Sequence, residues 1–149
     1  MKKLFVCQSI EIKASPSKVW AVLTEPEFTD QWATDFVGGA EFHIESEWKP
    51  GSPVLWKDAA GNVVVQGNVT ALEPDHLLRY TAFDGRSPEK PTFKAQDGIT
   101  YKLMQKNGQL TFHLMQGDFA SLSEGEKYKE ASAKVWSRVL PKIKALSEA

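Results

Sequence analysis

Ile99-Thr100-Tyr101-Lys102-Leu103-Met104-Gln105-Lys106-Asn107-Gly108-Gln109-Leu110-Thr111-Phe112-His113-Leu114-Met115-Gln116 contains two alternating runs joined by an Asn-Gly pair. Ile99, Tyr101 and Leu103 fall on one phase of the first run, and Leu110, Phe112 and Leu114 on one phase of the second. A period of two places such residues on the buried face of a strand, with polar neighbours facing water. Asn-Gly accepts the left-handed backbone of a two-residue turn, so the runs form an antiparallel hairpin.

Four more runs of strand character precede it: Ala40 to Trp48, Pro53 to Asp58, Asn62 to Leu72 and His76 to Phe83. Pro50-Gly51-Ser52, Ala60-Gly61-Asn62 and Glu73-Pro74-Asp75 separate them. Breaks this short make sequential strands antiparallel neighbours, because a parallel crossover needs about a dozen residues. Their inward phases carry Phe42, Ile44, Leu78 and Tyr80. The longest break, Asp84 to Asp97, holds Pro88 and Pro91 without an apolar period. It reads as an exposed loop at a pocket mouth. At the N-terminus Leu4, Val6, Ile10 and Ile12 share one face of a further strand. Ser15-Pro16 then supplies an N-cap and a first helical proline, opening a helix to about Thr24. Pro26 ends it and opens a second helix over Glu27 to Trp32.

From about Glu124 the period lengthens. Tyr128, Val135, Trp136, Val139, Leu140, Ile143 and Leu146 recur at three- and four-residue spacing, one apolar stripe on a long helix. Pro141 lies inside it and is expected to bend the axis. The expected architecture is α+β, a curved seven-stranded antiparallel sheet with two short helices and one long C-terminal helix. A strongly twisted sheet curls away from a straight rod, and the gap must hold large side chains or a ligand. Periodicity alone does not separate a solid core from a cavity.

Composition narrows the function classes. The 149 residues suit one domain, with 42% hydrophobic and 25% charged residues, a globular balance. A net charge of -1 with mixed signs lacks the concentrated positive face of a nucleic-acid binder. Cys7 is the single cysteine, so neither an internal disulfide nor a cysteine-based metal site is expected. The apolar run after Lys2-Lys3 stops at Cys7, too short for a signal core, and no stretch approaches a membrane span. A cytoplasmic location follows as the expectation. His43 and His113 sit on strand phases opposite the apolar residues and His76 begins a strand, so no metal constellation forms. No nucleophile elbow, phosphate loop or dinucleotide fingerprint occurs, and Gly38-Gly39 reads as a turn. Glu41, Glu45 and Glu47 read as one solvated strand face. No cofactor is expected.

The sequence resembles the START-like (SRPBCC, polyketide cyclase/lipid-transport) superfamily, and most closely the branch of the activator of heat-shock protein 90 ATPase homologues. The residues that carry the likeness run from Ser9-Ile10-Glu11-Ile12-Lys13-Ala14 through Val19-Trp20 to Leu23-Thr24-Glu25-Pro26-Glu27-Phe28 with Trp32. Trp48-Lys49-Pro50-Gly51-Ser52, Trp56-Lys57, Gly67, Val69, Leu72, Glu73-Pro74, Leu78, Tyr80 and Thr81 continue it. Leu110-Thr111, Phe119, Trp136, Leu140, Ile143 and Leu146 complete it. Ala33 and Ala82 stand where the family often has further tryptophans, which would leave more room. The resemblance implies the helix-grip fold and a hydrophobic cavity between sheet and long helix. It says less about chemistry, since carriers, cyclases, sensors and co-chaperones share the scaffold.

The residues expected to line the cavity are Trp32, Phe42, Trp56, Leu78, Tyr80, Tyr101, Phe112, Leu114, Trp136 and Leu140. Tyr80, Tyr101 and Gln116 are the candidates for polar contacts within it. The leading functional reading is binding or carriage of an apolar, lipid-like or aromatic molecule. An enzyme of cyclase or dehydratase type in the same cavity is the second. Third is a chaperone ATPase co-regulator acting through its surface, which would be expected to carry an additional chaperone-binding segment. A homodimer is left open, and catalytic residues are not assigned.

Overall fold

The computed structural model describes residues 3–84, 98–121 and 124–149. Strand β1 (Val6–Ile12) leads into helices α1 (Pro16–Thr24) and α2 (Pro26–Trp32), then a 3-10 turn over Ala33–Val37. Strands β2 (Phe42–Ser46), β3 (Pro53–Asp58), β4 (Val63–Glu73), β5 (Leu77–Tyr80), β6 (Phe83–Asp84), β7 (Gly98–Lys106) and β8 (Gln109–Gly117) follow. Helix α3 (Gly125–Glu148) ends the chain after a short 3-10 turn at Phe119–Ser121. The sheet runs β1-β8-β7-β5-β4-β3-β2, with β6 paired to β4 off that path, and every pairing is antiparallel. It curls as a half-barrel around α3.

Local chemistry accounts for the boundaries. The Ser15 hydroxyl accepts from the Lys18 amide at 3.2 Å, capping α1, and Pro16 occupies its first turn. Pro26 opens α2 in the same manner. Gly38, at φ 69°, ends the 3-10 turn in the left-handed region, which assigns Gly38-Gly39 the turn role. Asn107 and Gly108 both hold positive φ in the β7–β8 hairpin.

Two expectations need correction. The run His76 to Phe83 is not one strand: it breaks at Thr81-Ala82 into β5 and β6. The cause is a close backbone approach, since a Cβ on Gly67 would lie 1.6 Å from the Thr81 carbonyl oxygen. Thr81 also donates its amide to Asn68 O and accepts the Asn68 amide on its hydroxyl, each at 2.9 Å. These bonds hold the kinked segment to β4. The second correction is Tyr128, placed on the apolar stripe but 51% exposed, because the stripe packs on the core from Val135 onward. α3 itself runs continuously through Pro141. The loop expected at a pocket mouth falls, over residues 85–97, outside the described residues.

α3 is strapped along β1. The Gln8 side chain donates to Ala133 O at 3.0 Å, Lys144 Nζ donates to Glu11 O at 2.9 Å, and Glu148 accepts the Lys13 amide at 2.8 Å. Lys142 pairs with Asp35 at 2.9 Å, tying α3 to the 3-10 turn. The core lies between the concave sheet face and the helices.

Candidate functional site

The ten residues expected to line a cavity are all buried, in one core between the sheet and α3. The register brings them together. Leu78 pairs with Tyr101, Tyr101 with Leu114, Leu103 with Phe112, and Tyr80 with Ile99, so the inward phases of β5, β7 and β8 stack side by side. Phe42 and Trp56 extend that surface from β2 and β3, while Trp136 and Leu140 descend from α3 and Trp32 from α2.

The rings pack on one another. Trp136 lies 6.1 Å from both Trp32 and Tyr101, and Phe42 lies 5.8 Å from Trp56. Most of these pairs are edge-to-face, the arrangement favoured by ring quadrupoles. Phe36 joins them and was missed by the sequence reasoning. It sits 4.9 Å from Trp56 and 5.0 Å from Trp136, at the junction of the two layers. It lies in a 3-10 turn, where neither the helical nor the strand period marks an inward residue. Trp48 was likewise read only as a family position, yet it packs 5.7 Å from Tyr80 and donates to Thr24 O at 3.0 Å. Ala33 is fully buried and Ala82 half-buried.

A thin line of polar atoms crosses this apolar interior. The Tyr80 and Tyr101 hydroxyls lie 2.7 Å apart, both rings fully buried. Burial pushes both phenols well above their ordinary value of 10.0, and for Tyr80 the neighbouring Tyr101 adds to the rise. Neither is a base near neutrality. Gln116 accepts the Trp136 indole N–H at 2.8 Å, and Trp32 donates its own to Val22 O at 2.8 Å. The Trp56 indole N–H eases ionisation of the Tyr80 hydroxyl, yet it is buried and makes no hydrogen bond. The Thr29 hydroxyl, on α2, is also buried with no hydrogen-bond partner.

The remaining sequence candidates face away. His43 bridges two carboxylates, its Nδ1 2.8 Å from Asp30 and its Nε2 2.8 Å from Glu41. His76 is exposed, and Glu45 pairs with Lys57 at 2.8 Å. Arg79, next to Tyr80 in sequence, bonds Thr100 on the opposite sheet face. Among the described residues no group of three or more His, Cys, Asp or Glu could hold a metal ion. No helix of the described residues is long and apolar enough to cross a membrane.

A curled sheet gripped by a long helix is the fold the resemblance implied. The model of the family described as Activator of Hsp90 ATPase homolog 1-like protein matches residues 13–148. The chain belongs to this family. No curated protein matches it in sequence. Solved structures agree on the fold. The Aha1 dimer of Colwellia psychrerythraea is 20% identical, with 97% of this chain and 96% of that one covered and a TM-score of 0.71. A Mesorhizobium loti protein is 19% identical, with 95% of each chain covered and a TM-score of 0.70. An Hsp90 activator from Plasmodium falciparum is 14% identical, covering 77% of this family member and 73% of its own chain, with a TM-score of 0.55.

Proposed function

We propose that this family member binds a small apolar molecule carrying a hydrogen-bond acceptor, held among the aromatic side chains between the sheet and α3. The observation that carries the reading is the pair of buried donors without a partner, the Trp56 indole N–H and the Thr29 hydroxyl. A buried donor left unmade costs about 1–3 kcal/mol, and an acceptor on a ligand would recover it. Aromatic rings from several elements supply the apolar surround that a small-molecule site uses. Trp32, Phe42, Trp56, Tyr80, Tyr101 and Trp136 are the contacts proposed for it, with Leu78, Phe112, Leu114 and Leu140 behind them. Binding is favoured over catalysis because the tyrosines are held protonated by burial and the histidines lie outside. The test is native mass spectrometry of freshly purified protein, with titration of an apolar aromatic ketone followed by tryptophan fluorescence. A bound molecule or saturable quenching, weakened about tenfold in Trp56→Phe by loss of one hydrogen bond of about 1.4 kcal/mol, is expected. No co-purified molecule together with no saturable quenching would overturn it.

A surface role as a chaperone co-regulator is the second reading. What favours it is the family's own description as Hsp90 ATPase activator homologues.

A further inference from the structure

The outer face of the sheet, turned away from α3 and the aromatic interior, holds a groove of about 900 Å³. Two cross-strand rows build its floor. Arg79, Thr100 and Met115 are successive partners across β5, β7 and β8, and Leu77, Lys102 and His113 form the next row. The outer face of a one-side-buried antiparallel sheet is expected to be uniformly polar. This one carries apolar ground between its cations: Met115 and Leu77 are half-buried, and Met104, two residues beyond Lys102 on the same strand phase, is 48% exposed.

Arg79 is the centre of the groove. Its Nε donates to the Thr100 hydroxyl at 3.0 Å, and Thr100 is only 4% exposed, so the guanidinium is fixed to the sheet. Neither Arg79 nor Lys102 forms an ion pair among the described residues. Glu73 is the one carboxylate in the lining, against these two cations and two histidines, His76 and His113. The whole chain has a net charge of -1, so this face reverses the sign of the molecule. A half-buried guanidinium, already oriented and without a carboxylate, is suited to bidentate recognition of one. A lone small anion would use Arg79 and leave the methionines idle. A peptide uses both, because unbranched, polarisable methionines accommodate varied apolar side chains.

We propose that this groove docks an acidic peptide segment of a partner protein, its carboxylates on Arg79 and Lys102 and an apolar side chain on Met104 and Met115. The site is independent of the interior and shares no side chain with the proposed ligand contacts except Leu114, at its border.

The probe is a fluorescein-labelled short peptide alternating glutamate and leucine, with a lysine–leucine peptide as control. Fluorescence anisotropy reports binding and methyl NMR reports its place. Saturable binding of the acidic peptide is expected, with shifts at the Met104 and Met115 methyls. Arg79→Lys, which keeps the charge but loses the fork, should weaken it about tenfold, the worth of a charge-assisted bond. Exposed Lys102→Gln should weaken it with no effect on folding, while Trp56→Phe should leave it unchanged. Equal binding of both peptides, binding without shifts at those methyls, or no binding would overturn the proposal. So would a concentration-dependent dimer whose interface moves the same methyls, which would assign the groove to a second copy of the chain.

Discussion

The Tyr80 and Tyr101 hydroxyls satisfy one another inside a largely apolar surround, so each is hostage to its partner. Tyr80→Phe removes one oxygen and leaves the other buried and unpaired, a loss expected to be about 1–3 kcal/mol. The double variant with Tyr101→Phe should regain part of that loss, because no orphaned hydroxyl remains. A urea-denaturation cycle of the two singles and the double measures the coupling. Trp136 is fully buried, touches rings from three other elements and donates to Gln116. Trp136→Ala should cost about 3–5 kcal/mol by the same measurement. Recovery of much of that stability on adding an apolar aromatic probe would show the interior accepting a ligand where the indole stood.

Among the elements, the junction of β4, β5 and β6 has no room for a side chain at Gly67. Gly67 has the Thr81 carbonyl where a side chain would begin, so Gly67→Ala must displace backbone. A loss of about 3 kcal/mol or more is expected by thermal or urea melting. The link between α2 and β2 responds to pH. Glu41 and Asp30, in that order, raise His43 above its ordinary 6.5 by accepting hydrogen bonds from its ring. A raised folded-state value means the imidazolium is stabilised by folding, so the contribution is complete below pH 6.5 and lost as pH rises through the raised value. The melting temperature of His43→Gln should therefore fall below that of the parent most below pH 6.5 and converge with it in mild alkali. Side chains this exposed give a small effect, screened further by salt. At the other end of the molecule, Glu148 is held below its ordinary 4.5 by the Lys13 amide and then Lys144. Its contribution is present above pH 4.5 and is lost as pH falls through the lowered value.

At the scale of the whole molecule, the sheet has two faces with separate proposed uses. The concave face, against α3, is aromatic and dry, and the outer face is cationic with apolar ground. A ligand that binds only the folded state stabilises it in proportion to its occupancy, by about 2.7 kcal/mol at a hundredfold excess over Kd. An interior ligand should thus raise the melting temperature of the parent, and Trp56→Phe should reduce the increment, while Arg79→Lys should not. An acidic peptide should show the reverse pattern, which separates the two sites in one calorimetric experiment.

The strands, the three helices and their inward residues were legible because each follows a local rule. Alternation marked Ile99, Tyr101, Leu103, Leu110, Phe112 and Leu114 as inward, and all are buried. Ser15-Pro16, Pro26 and Asn107-Gly108 act through dihedral preferences and caps that need no tertiary partner. What periodicity left open was decided by contacts distant in sequence. Phe36 joins the aromatic cluster by packing on both Trp56 and Trp136, and Tyr128, though on the apolar stripe, is exposed because the stripe packs on the core only from Val135 onward. The break at Thr81-Ala82 depends on the close approach of Gly67, fourteen positions earlier, in a neighbouring strand. The groove around Arg79 exists only through the register of β5, β7 and β8. Local propensity acts within a few residues along the chain, whereas packing and register act across space, and both candidate sites are assembled by the second.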